Sequence, residues 1–271
     1  METAERALVE RLWLPVARSE DVAHDRPAAG RLLDQDLVIF RTPSGPVIAD
    51  DQCPHRGAAL SIGSLVGGEL ECAYHGWRFR GEDGRCTHVP SLPGGAPPRT
   101  GLGLRRAAER YGFIWSCLGE PVVNGPAVRP LDHGAWQIAH GSPHDLRCGY
   151  RQLTENFRDT SHFPFVHRAS MGPNVQREVP RYDVDRDGWT LQWRIPTDLG
   201  GTAFGGNRDL SASQTLTYNT VVPAVAFVHT TFPGSGSPFR SWLPSPPTAN
   251  GAGSSGPWRS IPSRRAIREP R

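Results

Sequence analysis

The sequence predicts an α+β chain: an all-β domain over residues 1–120, an antiparallel sheet with a helix over 121–234, and an unstructured tail over 235–271. Three observations predict it. Short β-rich runs punctuated by Gly and Pro fill the first 120 residues. A Pro/Gly/Val passage from Pro121 to Pro130 then interrupts them. Beyond it, Tyr150 to His167 contains no Gly, and no Pro before Pro164, which makes it the best helix candidate in the chain.

The elements follow in order. Leu8 to Ala17 is a lead-in segment with Trp13 and Leu14 as packing anchors. Leu37–Arg41 and Val47–Ala49 flank Pro43-Ser44-Gly45, a hairpin signal. Further strands are expected at Leu70–Cys72, Trp77–Phe79 and Tyr111–Trp115. After the helix, strand-like text resumes at Thr190–Ile195, Gln214–Val222 and Ala226–Phe232. Asp185-Arg186-Asp187-Gly188 reads as a solvated hairpin tip. The last 37 residues hold 8 Ser, 7 Pro and 4 Gly, with large apolar residues only scattered among them. That text cannot bury enough apolar area to offset the entropy of ordering it, so disorder is expected.

Composition excludes several function classes. The net charge of +3 is uneven: residues 235–271 carry six Arg and one Glu, which leaves the body before them at −2. A nucleic-acid binder carries its positive charge on the folded part; nucleic acid is excluded. No run of about twenty apolar residues is present, so no membrane span is expected. Met1 to Glu10 mixes Glu2, Glu5 and Glu10 with Arg6 and lacks an apolar h-region, so it is no secretory signal. A cytoplasmic protein is the expectation. Among five cysteines, Cys86, Cys117 and Cys148 have no partner at ligand spacing and are expected to be small buried apolar groups.

Cys53 and Cys72 differ. They open two arms, Cys53-x-His55 and Cys72-x-x-His75, each offering one thiolate and one imidazole. Structural zinc sites use paired Cys two to four residues apart and a separate His pair, which this spacing does not match. Two mixed arms suit a 2Fe–2S cluster in which one iron takes both Cys and the other both His, the Rieske arrangement. Gly57 and Gly76 follow the two His where the backbone must turn sharply. Cys53-Pro54-His55-Arg56-Gly57 and Cys72-Ala73-Tyr74-His75-Gly76-Trp77, with Arg78-Phe79, Gly84-Arg85-Cys86 and Pro90 after them, resemble the Rieske domains of ring-hydroxylating oxygenase α subunits and their O-demethylase relatives.

A second segment, Asp159-Thr160-Ser161-His162-Phe163-Pro164-Phe165-Val166-His167, is similar to the Asp-x-x-His-x4-His segment of the same family. The resemblance implies that His162 and His167 bind a mononuclear non-haem Fe(II). It also implies that Asp159 is catalytic, hydrogen-bonding between an iron-bound His and the cluster-bound His of a neighbouring subunit. A helix ending near Pro164 is expected to bend His167 back toward His162. Asn156 is expected to hydrogen-bond behind these ligands, with Glu155 a surface acid. Non-haem Fe(II) oxygenases add one carboxylate to two His, and the family places that Asp far downstream. Here the last Asp is Asp209, and only Glu269 follows. Asp183, Asp185 and Asp187 belong to the hairpin, and Asp198 and Asp209 lie in Gly-rich loops, so the third ligand is not found. The expected explanation is a chain truncated, or shifted in reading frame, near residue 235, with the catalytic domain partial.

The resemblance implies a terminal oxygenase that hydroxylates or oxidatively demethylates an aromatic or similar apolar small molecule with O₂. The alternative is an impaired fragment that keeps only the Rieske cluster and acts as an electron carrier. Gly200-Gly201 and Gly205-Gly206 do not form a dinucleotide fingerprint, so nicotinamide and flavin belong to a partner reductase, acting directly or through a ferredoxin. A homo-oligomer, commonly a trimer in the family, is implied as well. Phe163, Phe165 and Phe204 are aromatic candidates for the pocket, with core packing the expected role of each.

Overall fold

The computed structural model describes residues 3–127, 136–140, 144–146, 150–168, 176–197, 214–221, 225–231, 239–244 and 258–268. They fall into two compact units, one holding the described residues up to 127 and the other those from 136 onward.

The first unit opens with helix α1 (Thr3–Val9), followed by β1 (Leu14–Arg18), β2 (Ala28–Leu32), β3 (Gln35–Thr42) and β4 (Gly45–Asp50). Next come β5 (Ser64–Val66), β6 (Glu69–Glu71), β7 (Arg78–Phe79), β8 (Cys86–His88), β9 (Leu104–Arg110) and β10 (Phe113–Cys117). Two antiparallel sheets result, ordered β1-β10-β9-β4-β3-β2 and β5-β6-β7-β8. Leu37, Val38, Ile39 and Phe40 are all fully buried, as are Phe113 to Cys117 almost entirely. Strands covered on both faces read as continuous apolar runs, which is why both are legible in the sequence.

The β2–β3 turn holds Leu33 and Asp34 at φ 49° and 71°, the left-handed pair that lets a two-residue turn match the strand twist. Arg6 of α1 clamps it, donating to the Leu33 carbonyl at 2.9 Å and approaching Asp34 at 3.4 Å. At the far end of the unit the chain returns to its beginning. The Gly119 N–H donates to Glu10 O at 2.7 Å and the Val122 N–H to Arg11 O at 3.0 Å. Arg11 Nε reaches Glu120 O at 3.0 Å, and Trp13 Nε1 reaches Val123 O at 3.1 Å.

The second unit holds β11 (Trp136–His140), β12 (His144–Leu146), helices α2 (Tyr150–Arg158) and α3 (Phe163–Val166), and β13 (Val184–Asp187). It continues with β14 (Thr190–Thr197), β15 (Gln214–Val221), β16 (Val225–Thr231), β17 (Phe239–Pro244) and β18 (Trp258–Arg268). Among the described residues its sheet runs β11-β18-β17-β16-β15-β14-β13, with β12 also on β18, antiparallel throughout. No described helix is long and apolar enough to cross a membrane.

Three expectations are corrected. The lead-in contains a paired strand, β1, whose partner is β10. The helix expected over Tyr150 to His167, ending near Pro164, stops earlier, at Arg158, and a separate short helix covers Phe163–Val166. Disorder after residue 235 does not hold for β17 and β18, which pair with each other and with β16, β11 and β12. Strand formation follows from partners for the backbone as much as from side-chain pattern, and those partners are remote in sequence.

Candidate metal centres

The two Cys/His arms are built on one local plan. In the first, the Gly57 N–H donates to Cys53 O at 2.8 Å and the Cys53 N–H to Ala58 O at 2.8 Å. In the second, the Gly76 N–H donates to Cys72 O at 3.0 Å and the Cys72 N–H to Trp77 O at 2.9 Å. Each loop is closed four residues on by a Gly at positive φ, 72° for Gly57 and 66° for Gly76, a region in which an L side chain is strained. Gly76 also faces Pro90, whose Cγ would lie 3.0 Å from an added Cβ.

Both arms are pinned at their bases. Asp51 Oδ1 accepts from the Leu60 and Ser61 amides at 2.6 and 2.7 Å, and its Oδ2 from the Ser61 hydroxyl at 2.6 Å. That carboxylate draws together the two ends of the first arm. The second arm is the β6–β7 loop, with Arg78 Nε on Glu71 Oε2 at 2.7 Å across its root. Neither Asp51 nor Glu71 stands out in the sequence, because an isolated acid there looks like any surface charge.

The thiols point inward and the imidazoles outward. Cys53 and Cys72 are each 2% exposed, in a core shared with Phe40, Leu70, Phe79 and Cys86. His55 is half-buried and His75 exposed, with ring centroids 4.7 Å apart. Trp77 lies flat on His55 at 4.4 Å and 6°, a contact the sequence motif contains but does not announce. Burial pushes the Cys53 thiol up to about 11, with Cys72 beside it adding to the rise. Burial likewise lowers His55, helped by His75 and Arg56, and so favours the neutral, ligating imidazole.

His55 Nδ1 is buried and has no hydrogen-bond partner among the described residues, a state that a metal relieves. Among the described residues no three His, Cys, Asp or Glu side chains close on a single point. A two-iron cluster needs no such convergence, since each iron takes two protein ligands, and Cys53, His55, Cys72 and His75 fit one.

In the second unit, α2 stops where side chains outcompete the helix. Asp159 Oδ1 accepts the Ser161 amide at 2.8 Å and the Ser161 hydroxyl at 2.6 Å, a local closure that offers the backbone an alternative to the next turn. His162 then precedes α3, with Pro164 in its first turn. The break brings His162 and His167 together, ring centroids 5.1 Å apart, although five positions separate them. Asp159 Oδ2 lies 2.9 Å from His162 Nδ1. A carboxylate at Nδ1 fixes the tautomer and leaves Nε2 for a metal.

Burial raises the Asp159 carboxyl, but bonds from Ser161 and His162 outweigh it and hold the group below its ordinary value. Burial, then the charge of His162, lowers His167. Two imidazoles, one of them oriented by a carboxylate, fit a mononuclear metal. No described carboxylate joins them as a third ligand. Asp183, Asp185 and Asp187 are exposed on and beside β13, whose hairpin turns at Gly188. Asp198 and Asp209 lie outside the described residues, as do Phe204 and Cys148.

Some expectations change here. Asn156, expected behind the ligands, is exposed, as is Glu155. Phe163 does pack into the core of the unit, but Phe165 is 58% exposed with Arg177 over its ring at 5.1 Å. Cys86 and Cys117 are buried, and burial raises both thiols.

Residues 12–100 match the model of the Rieske [2Fe-2S] domain, and residues 146–243 that of the vanillate O-demethylase oxygenase C-terminal domain. The chain is 32% identical over 235 residues to the oxygenase component of dicamba O-demethylase from Stenotrophomonas maltophilia, covering 81% of this chain and 67% of that one. It is 34% identical over 173 residues to the vanillate O-demethylase oxygenase subunit of a Pseudomonas species, covering 62% and 48%. Among solved structures, Pseudomonas putida CBB5 NdmA with caffeine superposes with a TM-score of 0.82 at 25% identity, over 96% of this chain and 76% of that one.

Proposed function

The chain belongs to the family of Rieske non-haem iron oxygenases, and from that membership we propose that it is the terminal oxygenase component of a multicomponent system. Its reaction would be hydroxylation or oxidative demethylation of an aromatic or similar apolar small molecule. The observation that carries the reading is the Asp159–His162–His167 constellation, with Oδ2 at 2.9 Å from Nδ1 and the two rings 5.1 Å apart. A protein that only relays electrons has no use for it.

Cys53 and Cys72 would hold one iron of the cluster, His55 and His75 the other, and His162 with His167 the mononuclear Fe(II). When bound, the cluster supplies one-electron transfer and the single iron supplies O₂ activation. The residues do the rest. Asp159, held ionised by Ser161, keeps a proton on His162 Nδ1 and so aims Nε2 outward. The burial that lowers His167 keeps it neutral. On the cluster side, Trp77 holds the His55 ring in plane while the exposed His75 edge is the way out for an electron.

A flavin-dependent NAD(P)H reductase, with or without a ferredoxin, is the proposed electron source. The proposed setting is the cytoplasm and the proposed assembly a homo-oligomer. The competing reading, a carrier with the cluster alone, draws on the lack of a described third carboxylate. Iron analysis of the purified chain decides between them. Three irons per chain, with reductase-dependent O₂ uptake, is the expected result. Two irons, with the anisotropic EPR signal of a Rieske centre and no uptake, would leave only the carrier.

A further inference from the structure

One side chain joins the two Cys/His arms. Trp77 ends the second arm, where its carbonyl accepts the Cys72 N–H at 2.9 Å. Strand β7 begins at the next residue, with Phe79 fully buried and paired with Leu70. The indole of Trp77, however, lies on the imidazole of the first arm, flat on His55 at 4.4 Å and 6°. Trp77 also packs against the core that holds Cys53 and Cys72. The indole is thus seated on the core and the His55 ring is laid against it.

The two ligand imidazoles are held unequally. His55 Nδ1 has no hydrogen-bond partner among the described residues, so the stack, and not a bond there, sets the plane of the ring. His75 is exposed and meets the His55 ring edge-on, 4.7 Å away at 64°. The aromatic neighbour of His75 is Tyr74, tilted by 39° at 3.9 Å, 63% exposed and adjacent in sequence. That contact stays within one arm. Apart from the two ligands themselves, Trp77 is the described aromatic ring that crosses from one arm to the other.

A ring face is the negative side of an aromatic quadrupole. An imidazole bound to iron gives up electron density and carries partial positive charge, which an indole face favours as it does a cation. Reduction adds an electron to the centre and lessens that charge, so the stack favours the oxidised state. Shielding His55 from water acts in the same sense, because water stabilises the added negative charge. Hydrogen bonding and solvent exposure around such clusters are known to set their potentials.

We propose that Trp77 is a positioning residue for the cluster: it braces His55 against the second arm and holds the reduction potential of the centre down. The inference rests on the cluster reading above, not on the mononuclear iron, and deepens it by naming what tunes the electron relay.

Redox titration of the full, iron-loaded chain, followed by EPR, tests this. At the wild-type midpoint, Trp77→Leu should show a reduced-to-oxidised ratio about fivefold higher, a rise of about 40 mV at about 59 mV per tenfold for one electron. Trp77→Phe, which keeps a smaller ring face, should fall between the two. The EPR lines of the Leu chain should broaden as the His55 ring loses its fixed plane. A merely structural role would lower cluster content or thermal stability while the remaining clusters keep the wild-type potential. That result would overturn the proposal, as would a lower potential. Fluorinated tryptophan, incorporated throughout the chain, keeps the shape but weakens the ring face. It should raise the potential of the wild type and leave Trp77→Phe unchanged, and this comparison stands even where the Leu chain takes up no iron. An equal rise in both chains, or none in the wild type, would also overturn the proposal. A wild-type chain with no Rieske signal would remove the cluster reading and this proposal together, whereas a signal with an unmoved potential removes this proposal alone.

Discussion

Arg41 and Glu109 meet through two bonds, Nη1 to Oε2 at 2.9 Å and Nη2 to Oε1 at 2.8 Å. Arg41 bonds with Glu109 pull its carboxyl from the ordinary 4.5 down to about 2, against the opposing effect of burial. Because the folded value is the lower one, this stabilisation is present in full above about pH 4.5 and fades as pH falls toward 2. Glu109 is about one-third exposed, so the discounted worth is small. Glu109→Ala should lower stability by about 1 kcal/mol at neutral pH. The melting temperatures of variant and wild type should draw together on acidification, and a gap undiminished at pH 2.5 would refute the linkage. At this scale the sequence was most informative where chemistry is local. Cys53, His55, Cys72 and His75 stand out by spacing alone. Asp51 does not, because its hold on the Leu60 and Ser61 amides is a property of the fold and not of the text.

At the scale of elements, the functional feature is the interruption between α2 and α3. A continuous helix would turn His162 and His167 to different sides; the Asp159–Ser161 closure prevents it. Ser161→Ala removes the hydroxyl at 2.6 Å but leaves the amide at 2.8 Å. The Asp159 carboxyl should then rise toward its ordinary value and orient His162 less firmly. We expect iron loss during dialysis against a chelator to run several-fold faster in this variant, as outer-sphere changes at metal sites do; an unchanged rate would show that the backbone amide suffices. The same break explains why the sequence reads as one helix. No Gly or Pro marks the stop, and the competition comes from an acid and a serine two residues apart. Strand β9 was illegible for another reason. Leu104–Arg110 is Arg- and Ala-rich and half-exposed, and it is a strand because β10 and β4 lie on either side.

For the whole molecule, the two candidate centres belong to different units, so they should respond separately to metal removal. Cys53 and Cys72 are 2% exposed, whereas His167 is half-buried and exposed Phe165 and Val166 precede it. Treatment with o-phenanthroline should take one iron of three and leave the visible Rieske absorbance in place, as followed by iron assay and absorption spectroscopy on one sample. Parallel loss of both signals would contradict this. The α+β division, the N-terminal all-β unit and its oxygenase kinship were legible because they rest on local runs and a dense motif. The order after residue 235 was not. Strands β17 and β18 depend on neighbours from β16 back to β11, and no window of sequence contains both sides of such a pairing.

The lacing of residues 10–13 to 117–123 has a topological consequence. The Cys117 thiol and the Gly119 amide both reach Glu10 O, at 3.3 and 2.7 Å, so the cluster-bearing module begins and finishes at one place. A closed circle could be made there with a short splice. New ends could then be opened at the β3–β4 turn, where Pro43–Gly45 faces solvent or half faces it and nothing crowds Gly45. Neither Cys/His bracket touches either cut. The order in which the ribosome makes this module is thus separable from the shape that grips the cluster.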